Sequence, residues 1–475
     1  MIFFVALLGC THASLTCGPG THQSGEECLA DPVATDTDTA ATVDSVPWVD
    51  TGDSTADSSP ADSGGGGDSG VPDVVDVYIL AGQSNMDGYS VYTGLPPAWR
   101  EGDDAVPLYW SGWGTFRPDA PASYGGAAYT GPEVAIGQTL AAAGRHVALV
   151  KHAVGGTDLY AYWYPGATHD DATAGPGWTT LMTTMAGATT ELDAAGTPWR
   201  WAGFVWMQGE SDALVDYEAA AYQDNLTHLL ARVREETATP DLPAYIGLIA
   251  CQDLCGYLDT VRTAQANVVA ADVNATAVET IDLTRNVYDP WHYDGPGGRQ
   301  LGSRFGEAIL GEATEAPVSA ALKVQSSSVD YDGDYTVGWA FSLSREATLT
   351  DVGGFAISGN VLGTSTEFGI WDAATQELLV REAIPSWDEA PTSYRDGFWY
   401  TAIDPVTLPP GNYVVGLTAW LGDADSYSDN ATVSAGPGLT VTAGAYHAGE
   451  WLTYPETQFA TGSAISFLGP SFLYW

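Results

Sequence analysis

The chain has 475 residues and carries 60 acidic against 15 basic side chains, a formal net charge of −45 at pH 7. So few Lys and Arg exclude nucleic acid as a partner, because binding to it depends on neutralising phosphates. The same balance disfavours strongly anionic polymers as substrates at low salt and is typical of an acidic, salt-tolerant surface.

The first ten residues, MIFFVALLGC, form an apolar run that ends in Leu-Leu-Gly-Cys. This ending resembles the lipobox of bacterial lipoproteins, in which the cysteine, here Cys10, carries the lipid after the signal is removed. The resemblance implies a lipoprotein-type signal segment at residues 1–10 and an exported protein. We therefore expect an outer-membrane or cell-surface lipoprotein, or a secreted protein, that touches the membrane only through its lipid anchor.

The other four cysteines form two pairs that are close in sequence, Cys17 with Cys28 and Cys251 with Cys255. Each pair predicts a short disulfide loop, and such loops persist outside the cytosol. Zinc is the competing interpretation, but the pairs lie far apart and neither has CxxC spacing. We expect a small cysteine module at residues 11–30 and no metal.

Residues 31–75 form a linker, mostly of Asp, Thr, Ser, Ala and Gly, without Lys or Arg. Such a composition cannot bury a core, so it predicts a disordered, extended and self-repelling tether.

Apolar strand patterns and helical patterns then alternate, which predicts βαβ units around a parallel sheet over residues 76–316. The predicted strands lie near 77–81, 147–152, 203–207, 244–249 and 278–282, and the helices near 133–143, 181–194, 217–237, 261–272 and 298–312. The carboxyl ends of these strands meet at one edge, where α/β sheets bind ligands.

The first strand runs into the turn Gly-Gln-Ser-Asn, within VYILAGQSNMDG. A serine at the end of a buried strand is where hydrolases place a nucleophile, so Ser84 is the first candidate for chemistry, although a plain polar turn fits these four residues equally well. A serine nucleophile needs a base and an orienting acid. The DxxH of Asp289 and His292, just before the last helix, supplies both.

Two further segments offer donors for an oxyanion. Residues 150–157, VKHAVGGT, end in a Gly-Gly turn where the backbone N–H of Gly155 or Gly156 can approach a substrate. Residues 201–212, WAGFVWMQGESD, end in a polar cluster in which Gln208 is a candidate side-chain donor and Glu210 a candidate support for the loop or the histidine. Each segment alone is also compatible with ordinary turn chemistry.

Together, GQSNM, GGT with Trp163 after it, QGESD and DxxH resemble the SGNH (GDSL-like) hydrolase superfamily, in particular the sialate O-acetylesterase-like domain and carbohydrate esterase family six. The resemblance implies a three-layer α/β/α, flavodoxin-like domain. It makes Ser84 the nucleophile, His292 the base and Asp289 its orienter. The oxyanion donors would be the N–H of Ser84, that of Gly155 or Gly156, and the side chain of Gln208, with Asn85 and Glu210 as supporting residues.

Aromatic residues near these motifs are candidates for a sugar site. The segment 109–116, YWSGWGTF, is predicted to be an aromatic loop. Its Trp110 and Trp113, together with Trp163 and Trp291, either line such a site or pack in the core.

Residues 320–475 change to alternating apolar and polar segments with Gly and Pro turns, near 336–343, 367–371, 398–403 and 412–418. This pattern predicts an all-β sandwich domain. It resembles, more loosely, accessory domains of exported bacterial proteins. Its aromatic residues are more often core than sugar platforms.

We therefore expect a serine esterase, without cofactor, that removes O-acetyl groups from carbohydrate such as acetylated xylan, sialic acid or a related glycan. Two alternatives remain open. One is an esterase of the same superfamily that acts on non-carbohydrate esters, and the other is a carbohydrate-binding surface lipoprotein.

Overall fold

The computed structural model describes most of the chain from residue 74 onwards and a short N-terminal segment. The described residues are 21–24, 27–30, 74–91, 94–100, 103–110, 112–116, 129–167, 172–252, 254–287, 289–312, 318–326, 330–331, 334–355, 365–385, 393–419, 427–428, 431–460 and 468–475. The predicted signal segment, Cys10, Cys17 and nearly all of the predicted linker lie outside them.

The chain divides into two compact units, residues 1–69 and 70–475. In the first, β1 (Thr21–Ser24) and β2 (Glu27–Ala30) pair as an antiparallel hairpin in which Gln23 lies opposite Cys28.

The second unit begins with an α/β region. Its strands are β3 (Val75–Gly82), β4 (Ser90–Val91), β5 (Asp103–Tyr109), β6 (Trp113–Phe116), β7 (Tyr129–Thr130), β8 (Val147–Ala153), β9 (Trp199–Met207), β10 (Ala244–Gly247) and β11 (Ala275–Val278). Its helices are α1 (Ser84–Asp87), α2 (Pro97–Arg100), α3 (Glu133–Ala142), α4 (Pro176–Ala195), α5 (Asp216–Glu236), α6 (Leu258–Ala271) and α7 (Gly295–Leu310).

Seven of these strands form one sheet in the order β11-β10-β9-β3-β8-β5-β6. All neighbours pair in parallel except β5 and β6. The central β3 lies between β8 and β9, so the turn after β3 emerges in the crevice at the carboxyl edge of the sheet. The predicted parallel α/β fold is confirmed.

Helices cover both faces of this sheet, as two adjacent residues of β8 show. Lys151 is fully buried and its Nζ lies 2.7 Å from Glu133 Oε2 on α3. The next residue, His152, contacts Trp163 on the opposite face. Trp163 in turn contacts Trp206, whose indole N–H donates to Tyr222 on α5. Because successive side chains of a strand point to opposite faces, α3 and α5 lie on different sides of the sheet.

Two sequence predictions for this region are wrong in detail. Residues 109–116 are not a loop, because β5 and β6 pair around them as an edge hairpin. The last parallel strand is Ala275–Val278 rather than 278–282, since its ladder with β10 ends at Val278. Beyond it, Glu279 leaves the sheet and pairs with Arg262 at 2.7 Å.

The remaining strands form an antiparallel β region. They are β12 (Ser319–Ala320), β13 (Leu322–Ser326), β14 (Asp330–Tyr331), β15 (Tyr335–Leu343), β16 (Ala347–Phe355), β17 (Thr366–Asp372), β18 (Leu378–Ile384), β19 (Ser393–Arg395), β20 (Phe398–Leu408), β21 (Gly411–Ala419), β22 (Tyr427–Ser428), β23 (Thr432–Ala435), β24 (Leu439–Ala448), β25 (Thr457–Ala460) and β26 (Pro470–Tyr474).

The two main sheets of this region have the orders β12-β26-β16-β20-β19 and β18-β17-β21-β15-β24-β25. They share one core, in which Trp339 of the second sheet stacks on Phe472 of the first at 5.9 Å between ring centroids. The predicted all-β fold is confirmed, and many of its aromatic side chains are core. Among the described residues of the whole chain, no helix combines the length and apolar character needed to cross a membrane.

A buried ion pair joins the α/β region to the β region. Arg299, on α7, donates to Asp351 Oδ2 on β16 at 2.5 Å and to the carbonyl oxygen of Gly94 at 2.5 Å. The two charged side chains are only 5% and 1% exposed. Thr350 also donates to the Asp351 carboxylate. The β region is therefore attached to the helix that follows His292.

A second buried charge cluster supports the turn that carries Ser84. The ammonium of Lys151 donates to the carbonyl oxygen of Asp87, at the end of α1, over 2.8 Å. The Asp87 carboxyl group accepts the backbone N–H of Gly155, and burial raises its pKa to about 6, against the effect of Lys151. Lys151 and Asp87 thus fix the carboxyl end of α1, the short helix that begins with Ser84.

We expect Asp351→Ala to destabilise the protein by about 3 to 5 kcal/mol, because it leaves the Arg299 guanidinium buried without its partner charge. Urea unfolding measures the loss. Glu367→Ala is the matched control, since it breaks the exposed pair with Arg381 and should cost at most about 1 kcal/mol. Equal losses in the two variants would contradict a special role of the buried pair.

Asp87 predicts a pH dependence of stability. Its folded-state pKa, about 6, lies above the ordinary 3.8, so the fold favours the protonated form and stability is lost as pH rises through the folded-state pKa. Relative to Asp87→Asn, which cannot titrate, the wild-type free energy of unfolding should fall by about 2 kcal/mol between about pH 4.5 and 7. Parallel stability curves for the two proteins would refute this assignment.

Candidate active site

The turn after β3 places Ser84 at the centre of the carboxyl edge. Gly82 approaches β9 so closely that a Cβ on it would lie 2.0 Å from the carbonyl oxygen of Met207, and its φ is +149°. Only glycine fits this approach, which brings the turn of Ser84 against the end of β9. Ser84 is then the first residue of α1 and is 7% exposed.

The side chain of Gln83, which the sequence analysis did not single out, ties this turn to the next one. Its Oε1 accepts the N–H groups of Gly209 and Ser211, each at 3.3 Å, and lies 3.2 Å from Gln208 Nε2. The glutamine of GQSN thus organises the QGES turn. Its partners lie more than a hundred residues further along the chain, so no local signal in the sequence could identify them.

The loop before α7 presents the predicted base and acid as a pair. His292 Nδ1 lies 2.6 Å from Asp289 Oδ2, and the N–H of His292 donates to the carbonyl oxygen of Asp289 at 3.0 Å. The loop ends at Asp294, which caps α7 by accepting the N–H of Gly297 at 2.8 Å. Because Asp289 binds Nδ1 of His292, the other ring nitrogen, Nε2, is left for a second partner.

Asn85 links the turn of Ser84 to the backbone on both sides of His292. Its Nδ2 donates to the carbonyl oxygen of Trp291 at 3.2 Å, and its Oδ1 accepts the N–H of Tyr293 at 3.4 Å. The same Nδ2 donates to Glu210 Oε1 at 2.7 Å. One buried amide, adjacent in sequence to Ser84, therefore brings the three segments together.

Glu210 is buried, and burial raises the pKa of its carboxyl group although the hydrogen bond from Asn85 lowers it. The structure places Glu210 against Asn85 rather than against the imidazole. Behind it, Cys251 and Cys255 form a disulfide, which confirms that sequence prediction. Cys17 lies outside the described residues, so the other pair stays a prediction.

The backbone N–H groups near Ser84 differ in their partners. The N–H of Gly155 is used by the Asp87 carboxyl group. Within the described part of the chain, the N–H groups of Ser84 and Gly156 have no hydrogen-bond acceptor. Gly155 nevertheless lies beside Ser84, because a Cβ on it would be 3.5 Å from Ser84 Cβ. Of the two glycines, Gly156 is the one with an available N–H.

Gln208 does not present its amide as a free donor. It is fully buried, and its Nε2 lies within hydrogen-bond distance of three acceptors, namely Gln83 Oε1, the carbonyl oxygen of Thr157 and Asp212 Oδ2. Its Oε1 accepts from the Tyr222 hydroxyl at 3.1 Å. An Nε2 group has two hydrogens, and both have partners here. The geometry makes Gln208 a connection between turns.

Asp212, the last residue of QGESD, was given no role from the sequence. Its carboxyl group accepts the N–H groups of Leu159 at 2.9 Å and Tyr160 at 3.2 Å, besides its contact with Gln208. Burial raises its pKa to about 7 despite these donors. Asp212 therefore holds the segment that follows the Gly-Gly turn through hydrogen bonds to its backbone.

The four tryptophans predicted to line a sugar site have different environments. The prediction that Trp163 lines the sugar site is wrong, because this side chain is fully buried, donates to Thr157 Oγ1 at 2.8 Å and packs on Trp206. Trp110 and Trp291 are half-buried, whereas the structure does not describe the side chain of Trp113. Trp110 and Trp291 therefore remain candidates for substrate contact.

In the described part of the chain, no group of three or more His, Cys, Asp or Glu is placed to hold an ion. His152 is not a second base of the same kind. Burial lowers its pKa to about 4, and its Nε2 has no hydrogen-bond partner among the described residues.

Several known proteins are similar to this chain. A curated relative, a probable carbohydrate esterase of Arabidopsis thaliana, is 34% identical over 84 residues, which is 17% of this chain and 32% of that protein. The match thus spans about a third of the relative's length.

Two solved structures are similar over longer stretches. That of an Arabidopsis thaliana protein is 22% identical with a TM-score of 0.42, covering 51% of this chain and 99% of the other. That of a carbohydrate acetylesterase from Xanthomonas citri is 17% identical with a TM-score of 0.37, covering 83% and 80%.

The family model described as "carbohydrate esterase, sialic acid-specific acetylesterase" matches residues 74–311, half of the chain, and contains all four motifs. The chain therefore belongs to this family of carbohydrate esterases.

Proposed function

We propose that this protein is a serine esterase that removes O-acetyl groups from carbohydrate through an acetyl-enzyme intermediate. The observation that carries the proposal is the Asp289–His292 pair, held to the turn of Ser84 by the hydrogen bonds of Asn85. A serine and a histidine oriented by a carboxylate, brought together on neighbouring loops, are the groups that activate a hydroxyl group as a nucleophile.

In the first half of the reaction, Ser84 Oγ attacks the acetyl carbonyl carbon while the free nitrogen of His292 takes the hydroxyl proton. The Asp289 carboxylate accepts the Nδ1–H and stabilises the imidazolium. The backbone N–H groups of Ser84 and Gly156 donate to the oxyanion. Collapse of the tetrahedral intermediate breaks the bond to the sugar oxygen, which receives the proton from His292.

In the second half, water attacks the acetyl group on Ser84 and His292 takes its proton. The second tetrahedral intermediate uses the same two N–H donors and releases acetate, and the proton returns to Ser84. Every group that moves a proton or receives charge in this cycle belongs to the chain itself. Gln208 acts in this proposal by positioning the turns, because its amide hydrogens already have acceptors.

The substrate class follows from the family, and the sugar is a narrower question. The family description names sialic acid, whereas a net charge of −45 opposes the approach of an anionic sugar polymer at low salt. We therefore propose an O-acetylated glycan, with acetylated xylan and acetylated sialic acid as the two candidates. Trp110 and Trp291, both half-buried, are the side chains proposed to contact the sugar ring.

Ser84→Ala should abolish acetate release from 4-nitrophenyl acetate and from acetylated glycan, because it removes the covalent step, while the melting temperature stays close to wild type. Ser303→Ala, a half-buried serine on α7 outside the triad, is the matched control and should keep full turnover. Wild-type turnover in the purified Ser84→Ala variant would exclude this nucleophile.

A substrate panel separates the proposal from its two alternatives. Hydrolysis of acetylated xylan or acetylated sialic acid should be faster than hydrolysis of butyrate and octanoate esters. Turnover of long-chain or aryl esters alone would favour the non-carbohydrate esterase. Retention of the protein on glycan without any ester turnover would favour the carbohydrate-binding lipoprotein.

We also propose that the protein is exported and tethered through Cys10, followed by the acidic linker. The Cys251–Cys255 disulfide supports an oxidising compartment. In a bacterial host, the wild-type protein should be found in the membrane fraction and incorporate a labelled fatty acid. The Cys10→Ser variant should do neither, and unchanged labelling of that variant would contradict the anchor.

A further inference from the structure

Tyr89 follows the nucleophile turn, and no motif of the sequence analysis included it. Its ring lies face to face with the imidazole of His292, with 4.0 Å between the ring centroids and 13° between the planes. We propose that Tyr89 is a positioning residue that holds the imidazole of His292 for proton transfer and stabilises it once it is charged. This inference rests on the proposed function, because it takes His292 as the base.

The hydroxyl end of Tyr89 lies near Gly155, the glycine beside Ser84. A Cβ placed on Gly155 would lie 3.1 Å from the Tyr89 hydroxyl oxygen and 3.5 Å from Ser84 Cβ. One half-buried side chain therefore contacts the base with its face and lies next to the nucleophile turn with its hydroxyl. Since Tyr89 is only five residues after Ser84, the chain segment that carries the nucleophile also supplies the surface on which the base rests.

Two contacts then define the orientation of the imidazole. The hydrogen bond from Nδ1 to Asp289, at 2.6 Å, fixes one point on the edge of the ring. A single hydrogen bond still lets the ring plane turn about the line joining the two atoms. The stacked phenol ring removes that freedom, because turning would bring the two rings into collision at a separation of 4.0 Å. Together the two contacts fix both the direction of the second nitrogen and the plane in which it lies.

The stacking also acts on charge. When Ser84 Oγ forms its bond to the acetyl carbon, its proton passes to His292 and the imidazole becomes an imidazolium. The face of an aromatic ring carries negative charge density, so it attracts a cation more strongly than a neutral ring. The contact is therefore stronger in the transition state than before it. A contact of this kind affects kcat more than KM.

Three variants test the proposal with 4-nitrophenyl acetate and with the acetylated glycan that the wild type accepts. In Tyr89→Leu, kcat should fall about tenfold while KM changes less than about twofold. In Tyr89→Phe, which keeps the ring, kcat should stay within about twofold of wild type. Tyr129→Leu is the matched control, because the ring of Tyr129 is 6.3 Å from that of Tyr89 and the variant leaves the Tyr89–His292 stack in place.

A melting curve for each variant establishes that it is folded. The proposal is overturned if a folded Tyr89→Leu keeps wild-type kcat. It is also overturned if Tyr89→Phe loses as much as Tyr89→Leu, since the hydroxyl and not the ring would then act. An equal loss in Tyr129→Leu would show that general loosening of the segment explains the effect.

A second readout separates this inference from the proposed esterase function. A fluorophosphonate probe reacts with an activated serine whatever the natural substrate is, and its rate of reaction with Ser84 depends on the base. Tyr89→Leu should slow this reaction about tenfold, and Tyr89→Phe should not. If the wild type reacts with the probe but hydrolyses no acetyl ester, the esterase proposal fails while the role of Tyr89 is still measured. If labelling of the wild type and Tyr89→Leu is equally fast, the role of Tyr89 fails whatever the substrate.

Discussion

The hydrogen bonds of one buried amide, Asn85, determine whether this site exists. The residue before it in sequence is Ser84, the proposed nucleophile. The Asn85 side chain bonds to the backbone on both sides of His292 and to Glu210. These partners lie on loops that leave the sheet at different strands, so no local structure holds them together. A buried amide left without partners is costly, which makes the closed arrangement the favoured one. The fold brings the loops to one edge of the sheet, and the hydrogen bonds of Asn85 fix their positions relative to one another.

Two buried glutamines, Gln83 and Gln208, belong to the same set of hydrogen bonds between the loops. Gln83 accepts from the turn after β9, and Gln208 connects that turn to the segment after β8. Every one of these side chains is buried, so each hydrogen bond lies in a low-dielectric environment where it is stronger than at the surface. The four sequence motifs are therefore one hydrogen-bonded unit in which most of the buried polar side chains orient the backbone. Few of them are left to contact substrate directly.

The positions of the motifs were predictable, whereas the roles of several side chains were not. Apolar runs that end in Ser84, Gly155 and Gln208 place these residues at one sheet edge, since parallel strands share their direction. The Asp289–His292 pair is local in sequence and was also predictable. Gln208 differs, because its hydrogen-bond partners include Gln83, which is 125 residues away. Trp163 is similar, since its burial depends on contact with Trp206. Contacts between residues far apart in the chain determine the roles of Gln208 and Trp163, and the sequence pattern does not show such contacts.

The buried carboxyl groups around Ser84 affect the charge near the proposed reaction. The proposed reaction places negative charge on an oxygen next to Ser84, and ionised carboxylates nearby would oppose it. Three carboxyl groups, those of Asp87, Glu210 and Asp212, lie at the turns of the site, and burial raises the pKa of each. Burial thus favours their neutral forms, and Lys151 is placed against the carbonyl end of the Asp87 turn. The charge beside the oxyanion therefore depends on pH, because the Asp87 carboxyl group, with a pKa of about 6, is largely ionised at neutral pH, whereas that of Asp212, with a pKa of about 7, becomes largely protonated below it.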